Sequence, residues 1–167
     1  VGSDVDGLGW DIAASHTGLA DGLTVFGGYS VIPKYETATA GVGVTGDKTS
    51  KVLGATYAVG GATLGYQYSL ESLKSSVSGG VSSYENNAYG VSFSVNDDLS
   101  ISYGMHKSEK QTNNAAVVEV EAQSIQAAYS MGGATIKIAE TEVDNADYVS
   151  TTAGDTEGTT IMLSLAF

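Results

Sequence analysis

The chain contains no cysteine, no arginine and a single proline among its 167 residues. Without cysteine, disulfides and thiolate metal sites are excluded and the redox compartment stays open. All seven basic residues are lysines, set against 19 acidic ones for a net charge of -12. Such a surface repels phosphate, so nucleic acid is not expected as a partner. No apolar run approaches the roughly 18 residues that a transmembrane helix needs. Spanning by tilted strands of about 9 to 11 residues stays open, because each of those is only half apolar. What the chain does have is 22 Gly, 10 Tyr and a hydrophobic share of 42%, too apolar for a disordered acidic tail.

The last ten residues, Gly158 to Phe167, set the pattern. Ile161, Leu163, Leu165 and Phe167 are apolar at every second place, with Thr160, Ser164 and Ala166 between them. That is a strand with one oily face. Short turns fall at Gly18 to Gly22, Gly60-Gly61, Asn96 to Asp98 and Gly132-Gly133, where residue types that accept tight or positive-φ geometry gather. From Gly22 to Gly61, Asp98 and Gly133 the steps are 39, 37 and 35 residues, room for two strands and one longer loop each.

Alternation predicts nine strands, at about 8–17, 23–31, 51–59, 62–70, 87–95, 99–107, 123–131, 134–142 and the terminal segment. Their second faces are small and polar, as in Thr63, Gly65, Gln67 and Ser69. A sandwich would need two faces that pack as a dense aliphatic core. Lipid outside and water inside satisfies both faces at once. The segments 32–50, 71–86, 107–122 and 143–158, rich in Ser, Thr, Asn, Gly and charge, are expected as long loops, all on one side. Phe26 falls on a small-residue face and has no account in the pattern beyond a local bulge or packing against a loop.

Other motifs are weak. Gly41-Val-Gly43-Val-Thr-Gly46 matches a dinucleotide fingerprint, but a β pattern rather than a helix follows it. His16 and His106 lie on different faces of their strands, with no carboxylate spaced for a shared metal. No nucleophile elbow or Ser/His/Asp set can be assembled, so the chain is not expected to be an enzyme.

The alternating final strand that ends in Phe167 resembles that of bacterial outer-membrane β-barrels. With the regular hairpins and small polar faces, the chain is similar to the general diffusion porins, of the alphaproteobacterial type. The fold class expected is all-β, an antiparallel transmembrane β-barrel, of which these are about nine strands of sixteen. Residues 1–167 would then be the C-terminal part of one barrel domain whose N-terminal strands precede Val1. The missing seven strands would take roughly 130 residues at this spacing.

The resemblance implies the outer membrane of a Gram-negative bacterium, a homotrimer, and passive channel transport of ions and small hydrophilic solutes. Pore-lining positions are Thr63, Gln67, Glu71, Ser100, Ser102, His106, Gln126, Lys137 and Thr141. An aromatic girdle comprises Trp10, Tyr29, Tyr57, Tyr68, Tyr89, Phe93, Tyr129 and Phe167. No cofactor is implied. Membrane lipid and lipopolysaccharide are the implied partners, with weak divalent cation binding at acidic outer loops that include Glu109, Glu119, Glu121, Glu142 and Asp155. The rivals are a surface recognition barrel or adhesin with a plugged lumen, and a secreted structural β-protein that is soluble without detergent.

Overall fold

The computed structural model describes residues 8–33, 46–75 and 77–165. They form nine strands: β1 (Trp10–His16), β2 (Leu23–Ile32), β3 (Lys48–Val59), β4 (Ala62–Ser72), β5 (Val81–Ser94), β6 (Leu99–Thr112), β7 (Val118–Met131), β8 (Ala134–Asp144) and β9 (Thr156–Leu165). Each pairs antiparallel with the next in one meander, β1 to β9 in order. β1 and β9 are its two edges. The fingerprint segment apart from Gly46, the seven residues before Leu8, and Phe167 lie outside the described residues.

The short turns come where the residue chemistry asks for them. Gly22, Gly60, Gly132 and Gly133 have φ of 75°, 57°, 54° and 90°. At Gly22 the requirement is doubled, since a Cβ there would also sit against the Ala58 carbonyl oxygen. Between β5 and β6 the Asn96 side chain accepts hydrogen bonds from the backbone of Asp98 and Leu99, at 2.9 and 2.8 Å, closing an Asx turn.

The long-loop expectation is corrected. β5 begins at Val81, β6 runs to Thr112, β7 starts at Val118 and β8 reaches Asp144. Much of 71–86 and 107–122 is therefore ladder, with only residues 113–117 between β6 and β7. The cause is physical: where a strand has water on both faces, alternation of polarity is no longer selected, and the composition reads as a loop. Backbone pairing continues regardless.

There is no core. Among the described residues no hydrophobic side chain is buried, and Val91, Ile136 and Leu163 are 38%, 47% and 60% exposed. These are three residues that a sandwich would have hidden beneath a second layer. No second layer covers them among the described residues. Strands touch their sequence neighbours, and the other substantial contact is that of the 3-10 turn Ala146–Tyr148 with β7.

Candidate functional site: a two-faced wall

Register decides what each face carries, because directly paired residues project to the same side. One row runs Leu23, Tyr57, Leu64, Val91, Tyr103, Ile125, Glu140, Thr159 across β2 to β9. It is apolar through β7 and polar afterwards. Two residues higher the row reads Val25, Ala55, Tyr66, Tyr89, Met105 and then Gln123, Glu142, Glu157, turning polar after β6. Two higher again, Leu53 and Tyr68 give way to Asn87, Lys107, Glu121 and Asp144 after β4.

The apolar edge thus climbs the sheet as a straight diagonal. It moves one row, ~6.8 Å, for about every one and a half strands, ~7 Å, a slope of about 45° to the rows. The turns follow a parallel diagonal. The row through Leu23 meets β8 at Glu140, three rows above Ala134 where β8 starts. Three rows over six strand steps is ~20 Å against ~29 Å, about 35°. An apolar band bounded by two parallel oblique edges becomes level when the strands tilt by about 35 to 45°, the tilt of transmembrane barrels.

The band is finished with aromatics. Trp10 and Tyr29 pack with ring centroids 5.6 Å apart, and Tyr66 and Tyr89 at 5.2 Å. At its upper edge the Tyr66 hydroxyl donates to Asn87 Oδ1 at 2.8 Å and the Tyr103 hydroxyl to Gln123 Oε1 at 2.9 Å. Each ring therefore lies in the apolar zone with its polar tip in the next row up. Of the girdle positions inferred from sequence, Trp10, Tyr29, Tyr57, Tyr68, Tyr89, Phe93 and Tyr129 all project from this face by register. Tyr66 and Tyr103 complete the upper edge.

Above the band the same face is ionic. Lys107 contacts Glu121 and, at 3.4 Å, Glu119. The hydrogen bond to Glu121, against an opposing effect of burial, holds the Lys107 ammonium above the ordinary lysine range. Among the described residues no group of three or more His, Asp or Glu side chains converges as a metal site.

The opposite face carries all nine positions singled out as pore-lining. Glu71 pairs across to Ser50 and Tyr84, Gln67 to Gly54 and Ala88, Thr63 to Ala58 and Ser92. Ser100, Ser102 and His106 face Ala128, Gln126 and Ala122, while Thr141 and Lys137 face Ser124 and Ala128. Small hydroxyls bond one another along this wall: Thr141 Oγ1 to Ser124 Oγ at 3.0 Å, and Ser130 with Thr135 at 2.9 Å. Near its upper rim Lys48 pairs with Glu71.

Two features of this face were not read from sequence. Phe26 pairs with Gly54 in an unbroken register, so there is no bulge. Its ring lies in the space that a Cβ on Gly54 would fill. Higher up, the β8–β9 connection folds back onto the wall. The Tyr148 ring stands 5.6 Å from that of Tyr84 and 4.6 Å from Lys110 Nζ. Its hydroxyl is 2.6 Å from Ser108 Oγ, which in turn donates to Asn86 Oδ1 at 2.6 Å. Ser108 has one proton and spends it on Asn86, so Tyr148 is the donor in the other bond.

No protein-family profile matches the chain, and no curated protein does. Solved structures do. The outer-membrane expressed OmpT of Vibrio cholerae matches with a TM-score of 0.55 and 16% identity over 85% of this chain and 50% of its own. The in-vitro folded OmpT, an outer membrane protein of the same organism, matches at 0.50 and 17% over 84% and 47%. The fold is that of an outer-membrane β-barrel.

The chain spans about half the length of these OmpT structures. Fold and apolar band together assign it to the bacterial outer membrane. One expectation is corrected here. The residues were read as excluding an enzyme, but the matched OmpT barrels, at 16% and 17% identity, fix the scaffold and not the chemistry carried on it. That exclusion of catalysis is withdrawn.

Proposed function

We infer that the chain forms about half of a passive diffusion channel of the general porin kind, passing ions and small hydrophilic solutes. The supporting observation is the wall itself. From β4 to β8, small polar side chains such as Thr63, Ser102, Gln126 and Thr141 oppose a tilted apolar band. Water behind the wall and lipid before it leave both of these faces in a suitable solvent. Closure takes further strands, sixteen in all, with residues 1–167 as the C-terminal part of the domain. The complete barrel assembles as a homotrimer. The carboxylates of Glu119, Glu121 and Glu142, outward and above the band, meet lipopolysaccharide phosphates through weakly held divalent cations.

Conduction follows from size and field. The chain carries a net charge of -12, and of the three lysines on the described wall, Lys48, Lys110 and Lys137, the first is paired with Glu71. The field therefore favours cations. The full natural polypeptide, reconstituted in a planar bilayer under a KCl gradient, is expected to open steps whose reversal potential lies on the cation side. Absence of conductance refutes the channel, and clear anion preference refutes the charge argument alone.

A further inference from the structure

The β8–β9 connection, Asn145 to Asp155, lies against the wall and not away from it. Its path is not a relaxed one: Asn145, Asp147 and Tyr148 have φ of 55°, 56° and 60°, a left-handed run that non-glycine residues rarely adopt. Such a run persists only where surroundings hold it. Two anchors do so at its base, where Asn145 Nδ2 donates to the Glu119 carbonyl at 2.9 Å and Asn145 N–H to Asp155 Oδ1 at 3.1 Å. The third is Tyr148, half-buried, with its ring beside Tyr84 and over Lys110 and its hydroxyl bonded to Ser108. Ser108 is only 5% exposed, on a molecule whose surface is otherwise open. By register Tyr84, Ser108 and Lys110 all belong to the polar wall, in its upper rows.

We propose that the Asn145–Asp155 connection is a fixed constriction at the outer mouth of the channel, latched by Tyr148. The latch also sets selectivity, because the Tyr148 ring covers the Lys110 ammonium in a cation–π contact and screens its positive charge from the solute path. This rests on the channel reading above. It makes Tyr148 and Lys110 specificity-determining positions. Nothing in the alternation pattern marked Tyr148, since it lies in a connection and not on a strand.

The test uses the full natural polypeptide, with a thiol arm that needs no conduction. A cysteine-free chain makes Ser108→Cys the sole thiol of the described sequence. Under the latch it reacts slowly with a water-soluble methanethiosulfonate reagent, and adding Tyr148→Ala makes it react fast. In planar bilayers Tyr148→Ala raises single-channel conductance and moves the reversal potential toward anions. Tyr148→Phe, which keeps the ring but loses the hydroxyl bond to Ser108, shifts the reversal potential less than Tyr148→Ala does. Equal thiol reactivity in both backgrounds overturns the latch. A protected thiol with unchanged conductance and selectivity in Tyr148→Ala overturns the constriction. If the unmodified protein fails to conduct, the channel reading falls and the constriction with it, while the thiol arm still reports where the loop lies.

Discussion

Arginine in place of Val91 is expected to cost the folded protein about 2 to 4 kcal/mol, whereas arginine at the adjacent Ser92 is expected to leave its stability near wild type. The two residues are neighbours on β5, one residue apart in their distance from the β5–β6 turn. Val91 pairs with Leu64 and Tyr103, in the middle of the apolar band. Ser92 pairs with Thr63 and Ser102, on the polar wall. A guanidinium at 91 faces hydrocarbon and has no partner within the band. At 92 it faces water. Reversible urea unfolding in phospholipid vesicles, followed by tryptophan fluorescence from the single Trp10, measures the difference. If the proposed channel holds, Ser92→Arg shows itself instead as reduced single-channel conductance, since it would then place a long cation in the solute path. Equal losses at the two positions would mean that both faces are dry, and the two-solvent account would be wrong.

The contrast between 91 and 92 also shows how much of this molecule is legible from sequence. Facing is legible because a strand has period two and the two solvents differ sharply. Thr63, Ser102 and Lys137 could be assigned to one face, and Leu64, Tyr103 and Ile136 to the other, by counting alone. Turns were legible for a similarly local reason, as at Gly22 and Gly132, where backbone geometry demands glycine. Strand ends were not. Glu109, Lys110 and Gln111 read as loop, yet they lie in the ladder of β6, paired to β5. Once both sides are aqueous, the outward Glu109 and the inward Lys110 are equally acceptable, and no periodic signal remains to mark the strand. The tilt was hidden for another reason. It exists only in the register between strands, which no single strand encodes.

What the wall could not reveal from sequence is contact between its own residues, and Tyr148 is one instance. The chain from Ser69 through Asn86 and Ser108 to Tyr148 crosses three strands and a connection, with Asn86 Nδ2 donating to Ser69 Oγ at 3.2 Å. Each member separately is an ordinary polar residue of an aqueous face. Only the register brings 69, 86 and 108 side by side.

Phe26 and Gly54 form the second such contact, and Gly54→Val is expected to destabilise the sheet by about 1 to 3 kcal/mol, at the upper end of that range if the backbone must move. A Cβ built on Gly54 meets the Phe26 ring, with its Cε2 at 2.8 Å, and the Tyr66 carbonyl oxygen also at 2.8 Å. The ring can swing away, but the carbonyl belongs to the β3–β4 ladder and cannot. An aromatic lying across a cross-strand glycine covers backbone that would otherwise be open, and it keeps a bulky apolar residue flat on a wet wall. This is why Phe26 is tolerated among Thr24, Gly28 and Ser30. The two obstacles can be separated by a double-mutant cycle with Phe26→Ala. Removing the ring should restore part of the loss caused by Gly54→Val, because the first collision is gone, and leave the part due to the carbonyl. Strict additivity of the two substitutions in urea unfolding would show that ring and glycine do not share that space. Phe26→Ala alone should widen the lumen slightly at this height without altering which ions it prefers, since no charge changes. Phe26 thus supports the wall sterically, and Lys110 under Tyr148 acts on its field, which a reversal potential measured on each variant would distinguish.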